Sequence, residues 1–300
     1  MTSAAASVGL SCLWDHEMGL SHVDKYSYSS EEHVKAGALM ANGILHCSVR
    51  TEIDAPLALL GDYLTNKSVP LKTSAIMGLA FAYTGTHRED ILELLGGILE
   101  DDSATMEIAS LAALAIGFVF VGSANGDASG TISQAIMDRF ERQDKSLDEK
   151  WARFMAVGLG LIFLGVQSES DATIEFLKAV DHPFSKTAQI VVEACSFAGT
   201  GNVLRVQKML HHCDEHINPA KEKEKEKEGE KKEEDKDGEE KKKEDEVKDD
   251  TFQAFAVLGV SMIAMGEEIG SEMSLRQFNH LVTHLLFLFQ LTNLRPDALW

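Results

Sequence analysis

The residues best suited to metal chemistry are His211, His212, Cys213 and His216. His212 and His216 stand at i, i+4, the spacing that sets two imidazoles on one side of a helix. Cys213 falls on a different side by the same periodicity, and no second ligand pair follows at a zinc-site spacing. The group reads as part of a polar helix face, and no metal or other cofactor is expected. The four cysteines, Cys12, Cys47, Cys195 and Cys213, form no CxxC pair. All lie in apolar, helix-like stretches, as buried free thiols of a reducing compartment do. The string GLGLIFLG from Gly158 breaks the GxGxxG dinucleotide pattern at its last glycine and has no strand before it. No GxSxG, Walker or HExxH string occurs. Asn66-Lys67-Ser68 fits the glycosylation acceptor pattern but would be idle in a cytosolic protein. The expectation is a protein that is not an enzyme.

The elements that carry these residues are helical by composition. Of 300 residues, 44% are hydrophobic but only 7% aromatic, and there are 5 prolines. Ala, Leu, Ile, Val and Met in that balance suit close helix packing better than a β-sandwich. The formal net charge is −20. Residues 221–250 hold 16 acids and 11 bases, so most of the excess acid belongs to the rest of the chain. Such a surface repels nucleic acid and anionic membrane and attracts basic protein surfaces. The longest apolar runs, 108–122, 154–166 and 255–266, reach 15 residues at most. A spanning helix needs roughly 20, so no membrane segment is expected. The N-terminus lacks the basic start and cleavage site of a secretory leader, and none is expected.

An internal repeat organises the chain. Small residues inside apolar segments recur at Gly9, Gly43, Gly78, Ala115, Gly158, Ala194 and Gly259. Their spacings are 34, 35, 37, 43, 36 and 65, the last interval containing the charged run. A second glycine follows seven residues later at Gly85, Gly122, Gly165, Gly201 and Gly266, where a left-handed C′ residue would stop a helix. His16 and Arg50 hold that place in the first two units. Each anchor is followed by an amphipathic segment: 88–102, 131–142, 170–183 and 202–213. Over 91–99, Ile91, Leu92, Leu94, Leu95, Ile98 and Leu99 keep the i, i+3, i+4, i+7 rule. The unit is helix, turn, helix. A first helix apolar on every side must be buried on every side. The expectation is an all-α solenoid with an inner layer of first helices and an outer layer of second ones. Glycine inside a helix costs about 1 kcal/mol relative to alanine. Its recurrence implies that inner helices approach closely.

This pattern resembles the proteasome/cyclosome repeat, a helical pair of about 35 to 40 residues. The strings LWDHEMGLSHVDKY (13–26), KAGALMANGI (35–44), GSANGD (122–127), EACSFAGTGNVLRVQKMLH (193–211) and AVLGVSMIAMGEEIGSEM (256–273) resemble the second largest non-ATPase subunit family of the proteasome regulatory particle base. That family also has a Lys/Glu-rich insert between the last two of these units. The resemblance covers residues 6–282 and implies an open arc of a toroid. It gives repeats over 1–220, a disordered charged insert over 221–250, a further repeat over 251–282 and a divergent tail over 283–300. Family members are about three times longer than this chain.

The resemblance implies a scaffold that docks the proteasome ATPase subunits, ubiquitin and ubiquitin-like domain proteins, and a deubiquitinating enzyme. It implies a location in cytoplasm and nucleus. The family's ubiquitin-receptor surface lies on outer helices and maps here to Asp127, Gln134 and Asp138. Gln134 stands where some members have an acid, which implies weaker binding. Asp171 and Glu175 extend the surface onto the next outer helix. Exposed Ile132 or Met137 beside these acids would meet the apolar patch of a ubiquitin fold. Two other readings stay open at this point: a repeat scaffold of another large assembly such as the cyclosome, and a non-functional fragment.

Overall fold

A computed structural model describes residues 1–13, 15–49, 53–101, 103–142, 145–214 and 251–293. Among the described residues all regular structure is helical, with fourteen α-helices and no strand. The chain divides into two compact units, Met1–Ser196 and Phe197–Trp300.

In the first unit the inner helices are α1 (Thr2–Ser11), α3 (Glu32–Leu45), α5 (Val69–Ala82), α7 (Met106–Val119), α9 (Ala152–Ile162) and α11 (Pro183–Ser196). Each packs on the next. Between them run the outer helices α2 (His16–Ser27), α4 (Ala55–Leu60), α6 (Glu89–Leu99), α8 (Gly126–Arg142) and α10 (Asp171–Lys178). The division follows the residue pattern. Helix α7 buries eleven of its 14 residues. Helix α6 buries Ile91, Leu95, Gly96, Ile98 and Leu99 on one side and exposes Glu93, Leu94 and Gly97 on the other. Local signals set the starts: Asp15 accepts the Met18 N–H at 3.3 Å, and Pro70 occupies the first turn of α5. Cys195 is buried in α11, which pushes its thiol up to about 11. It stays protonated and inert at neutral pH.

The inner helices meet through pairs of small residues spaced two apart: Ser7/Gly9, Ala41/Gly43, Ala115/Gly117 and Gly158/Gly160. Gly9 abuts Ala41, Gly43 abuts Gly78 and Gly117 abuts Gly158, whereas Gly160 faces Val191 and Cys195. A Cβ on Gly9 would lie 2.7 Å from the Ala41 carbonyl oxygen. One on Gly43 would overlap the Gly78 backbone, and one on Gly117 the Gly158 backbone. Any side chain there would push two helix axes apart.

The spacing of seven marks a turn that the sequence reading assigned to the wrong helix. Gly85, Gly122 and Gly165 are left-handed, with φ of 68°, 66° and 75°. Each lies two residues beyond the C-cap, at Tyr83, Phe120 and Phe163, and so does not terminate its own helix. Instead the Gly122 N–H donates to the Leu161 carbonyl at 3.0 Å, at the end of the next inner helix. Gly85 and Gly165 reach Phe118 and Cys195 in the same way. Glycine is favoured because a left-handed turn must aim an amide at the neighbouring helix's orphan carbonyls. In the second repeat Ser48 is left-handed, with φ 63°, and Arg50 lies outside the described residues. The register there is two residues off because Gly43 is the second member of its small pair.

Between the second and third repeats a polar clasp fixes the start of α4. The Tyr83 hydroxyl donates to the Asp54 carboxylate and accepts the Leu57 N–H at 3.1 Å. Arg88 pairs with Asp54 at 2.7 Å and lies 4.8 Å from the Tyr83 ring centre. It also pairs with Asp90. Burial, with the Asp54 carboxylate beside it, pushes the Tyr83 hydroxyl well above its ordinary range. Folded-state protonation is therefore favoured. The Tyr83 hydroxyl's contribution is complete below the ordinary tyrosine pKa and drains away above about pH 10, whereas the Arg88–Asp90 pair, which holds the Asp90 carboxyl below its ordinary range, is lost in acid. Tyr83→Phe leaves the Leu57 N–H unmet and is expected to cost about 1–3 kcal/mol in urea unfolding. A loss under about 0.5 kcal/mol would place the hydroxyl outside the stabilising network.

In the second unit, α12 (Val203–Asp214), α13 (Thr251–Ala264) and α14 (Glu268–Asn293) pack together, with α13 against both others. Gly199 and Gly201 are left-handed and donate to Met262 and Ile263, each at 2.8 Å. Gly199, two residues after the buried Phe197, holds the place that the spacing of seven gave to Gly201. The charged insert over 221–250 lies outside the described residues. No helix among the described residues is long and apolar enough to cross a membrane.

Candidate functional site

Helix α8 begins where Asn125 accepts the Ala128 N–H at 2.8 Å, an N-cap that fixes the GSANGD turn. Asp127 then falls in the first turn, where the helix dipole favours negative charge. Ala128, Ser129, Ile132, Ala135, Ile136 and Arg139 form the buried side. Buried Arg139 ties the helix to its neighbour, donating to the Ala135 carbonyl at 3.0 Å and the Leu99 carbonyl at 3.4 Å. The side left to solvent carries Asp127 and Gln134, both exposed, with Asp138 half-buried. These three stand at i, i+7 and i+11, one stripe of the helix. The Gln134 amide donates to the Asp138 carboxylate at 2.7 Å, leaving the other carboxylate oxygen for a partner.

Helix α10 packs beside α8 and exposes Asp171 and Glu175 at i, i+4. Glu175 is paired with Lys178 at 2.5 Å, with both side chains more than half exposed. Such a pair contributes little to stability and opens readily to a competing cation. All five expected residues therefore lie on neighbouring outer helices, in two stripes.

The apolar part of the expected surface needs correction. Ile132 is fully buried, because it lies across the helix from Asp127. Met137 is half-buried. On the neighbouring outer helix α6, Leu94 is exposed, at 38%. Helix α6 packs beside α8, and a Cβ on Gly96 would sit 3.6 Å from the Thr131 methyl. Gly97 of α6 and Gly130 of α8 are exposed with open space where a side chain would project. The periodicity of 91–99 placed Leu94 in the core stripe; only the packed helix turned it outward.

His211 and His212 have ring centres 6.3 Å apart on α12, and among the described residues no group of three His, Cys, Asp or Glu side chains converges on an ion site. His216 lies outside the described residues.

No family model matches the chain. It is similar to the 26S proteasome regulatory subunit rpn-1 of Neurospora crassa, 43% identical over 284 residues, covering 94% of this chain and 29% of the relative. The corresponding 26S proteasome regulatory subunit of Schizosaccharomyces pombe is 46% identical over 283 residues, covering 94% and 29%. The 26S proteasome non-ATPase regulatory subunit 2 of Dictyostelium discoideum is 39% identical over 280 residues, covering 93% and 27%. The chain thus spans less than a third of the length of these relatives.

Proposed function

We propose, from the premise that this chain is homologous over nearly all its length to one segment of the non-ATPase regulatory subunit 2 of the 26S proteasome, that it is a non-catalytic docking scaffold for ubiquitin-dependent degradation. Its visitors are ubiquitin, the ubiquitin-like domains of shuttle receptors and a deubiquitinating enzyme, and its hosts are the proteasome ATPase subunits in cytoplasm and nucleus. The observation that carries this reading is the outer face of α8, with Asp127, Gln134 and Asp138 in one stripe, and an exposed Leu94 on the neighbouring outer helix α6. Asp171 and Glu175 extend the acid onto α10. A domain with an apolar patch ringed by Lys and Arg would find both halves of its complement there.

Exposed charge pairs contribute about 0.2–1 kcal/mol each, so several must act together. Asp127→Lys with Asp138→Lys is expected to weaken binding of a ubiquitin-like domain roughly tenfold at low salt. The loss shrinks as salt screens the pairs. Losing the favourable charge at the start of α8 is expected to cost about 0.3–1 kcal/mol, which lowers the melting curve slightly and leaves the chain folded. Titration of labelled ubiquitin-like domain against wild type and variant decides the matter, and equal affinities at low salt would remove this face from the function.

A further inference from the structure

Arg139 is the one charged residue on the buried side of α8, in line with Ala128, Ser129, Ile132, Ala135 and Ile136. It is 6% exposed. Taking a guanidinium out of water is costly, and an apolar residue of similar volume often gives equal stability. Its use here is therefore geometric. Among its contacts are hydrogen bonds to two helices, to the Ala135 carbonyl of α8 at 3.0 Å and the Leu99 carbonyl of α6 at 3.4 Å. Leu99 is the last residue of α6, so its carbonyl is one of the four that find no partner within that helix. The last turn of α6 holds no basic residue of its own. The guanidinium of α8 supplies the cation that the negative end of α6 favours.

We infer, resting on the docking face proposed above, that Arg139 is its positioning residue: it locks the C-terminal half of α8 against α6 and so aims Asp138. The other end of the stripe is fixed separately. There Asn125 caps α8, and the Gly122 and Ala124 N–H groups reach the Leu161 and Ile162 carbonyls, each at 3.0 Å. Asp127 lies two residues beyond that cap. Asp138 is eleven residues further on and directly precedes Arg139. Successive helix residues point about 100° apart. With Arg139 held inward, Asp138 is turned to the rim, half-buried and bonded to Gln134 at 2.7 Å. A planar fork bonded to both helices resists rotation of α8 about its axis. Such a rotation would carry Asp138 off the stripe.

Charge and position predict opposite signs for Arg139→Met, which keeps much of the volume and removes the cation. On charge alone, losing a cation beside an acidic stripe would tighten a basic partner's hold. Positioning predicts weaker binding. Titration of labelled ubiquitin-like domain with the 300-residue chain at low salt is expected to show a loss of roughly threefold for Asp138→Asn and for Arg139→Met alike. The two together are expected to lose no more than Arg139→Met alone, because Asp138 contributes little once its aim is gone. Arg139→Met with Asp171→Asn on α10 is expected to multiply the separate losses. Amide hydrogen exchange without partner is expected to quicken over residues 136–142 in Arg139→Met and to stay as in wild type over 126–130. Arg139→Met that binds as tightly as wild type, or tighter, while Asp138→Asn weakens binding overturns the positioning role and leaves the docking face standing. So does unchanged exchange over 136–142, or a loss for the pair equal to the product of the two single losses. A wild-type chain that ignores the ubiquitin-like domain removes the docking face and the inference with it. Should Arg139→Met fail to fold, Arg139→Lys, which keeps the charge but not the fork, is put through the same cycle with the same pattern expected.

Discussion

Gly158→Leu is expected to unfold the chain well below the wild-type melting temperature. A Cβ on Gly158 would overlap the Ala113 carbonyl oxygen and sit 2.9 Å from the Leu114 Cα. Those are backbone atoms of α7, so no side chain can swing aside. The only relief is to move α9 away from α7. That would also strain the contact from Gly117 and the hydrogen bond from Gly122 to Leu161. Overpacking a core costs about 1–3 kcal/mol and more where backbone must shift, so about 3 kcal/mol or above is expected here. For a unit of this size that lowers the melting temperature by roughly 6–12 °C. The matched control is Gly97→Ala on α6, where an added Cβ meets nothing within 4 Å. Relieved of glycine's helix penalty, that variant is expected to gain up to about 1 kcal/mol. Thermal melts followed by circular dichroism compare the two. Both variants melting with wild type would show that the inner helices are not in backbone contact.

Phe120→Ala is the second large effect. Phe120 closes α7 as its C-cap, is 1% exposed, and stacks on His87 with ring centres 6.0 Å apart and planes 16° from parallel. His87 is itself left-handed, at φ 54°, and its N–H donates to the Val119 carbonyl at 3.2 Å. The ring therefore fills the space between two successive turns. Truncating a buried phenylalanine costs about 3–5 kcal/mol, from lost burial and from the cavity left behind. Phe120→Leu keeps most of the volume and is expected to cost less than half as much. Urea unfolding gives both values. A loss near the about 0.5 kcal/mol of an ordinary surface change would mean that the turn is held by its hydrogen bonds alone.

Much of this was written in the sequence. Repeated small residues, amphipathic segments between them and the scarcity of proline led to stacked two-helix units, and those units are what the first unit contains. The reason is local: whether a helix is apolar all round or on one side depends on residues three and four apart. The spacing of seven was also legible as a left-handed turn, since few residues other than glycine adopt that conformation freely.

The sequence by itself thus determined the helical pairs and their order; Asp127, Gln134, Asp138, Asp171 and Glu175 were singled out by the family resemblance, and helical periodicity then sets them in two stripes on α8 and α10. Only the tertiary structure decided what each turn and side is for. The turn at Gly122 serves the next helix and not its own, because its amide finds acceptors 39 residues downstream, at Leu161. Ile132 is buried and Leu94 exposed because α6 and α8 settle against neighbours that no short window contains. Contacts between residues far apart in the chain are fixed by packing, and packing is a property of the assembled layers.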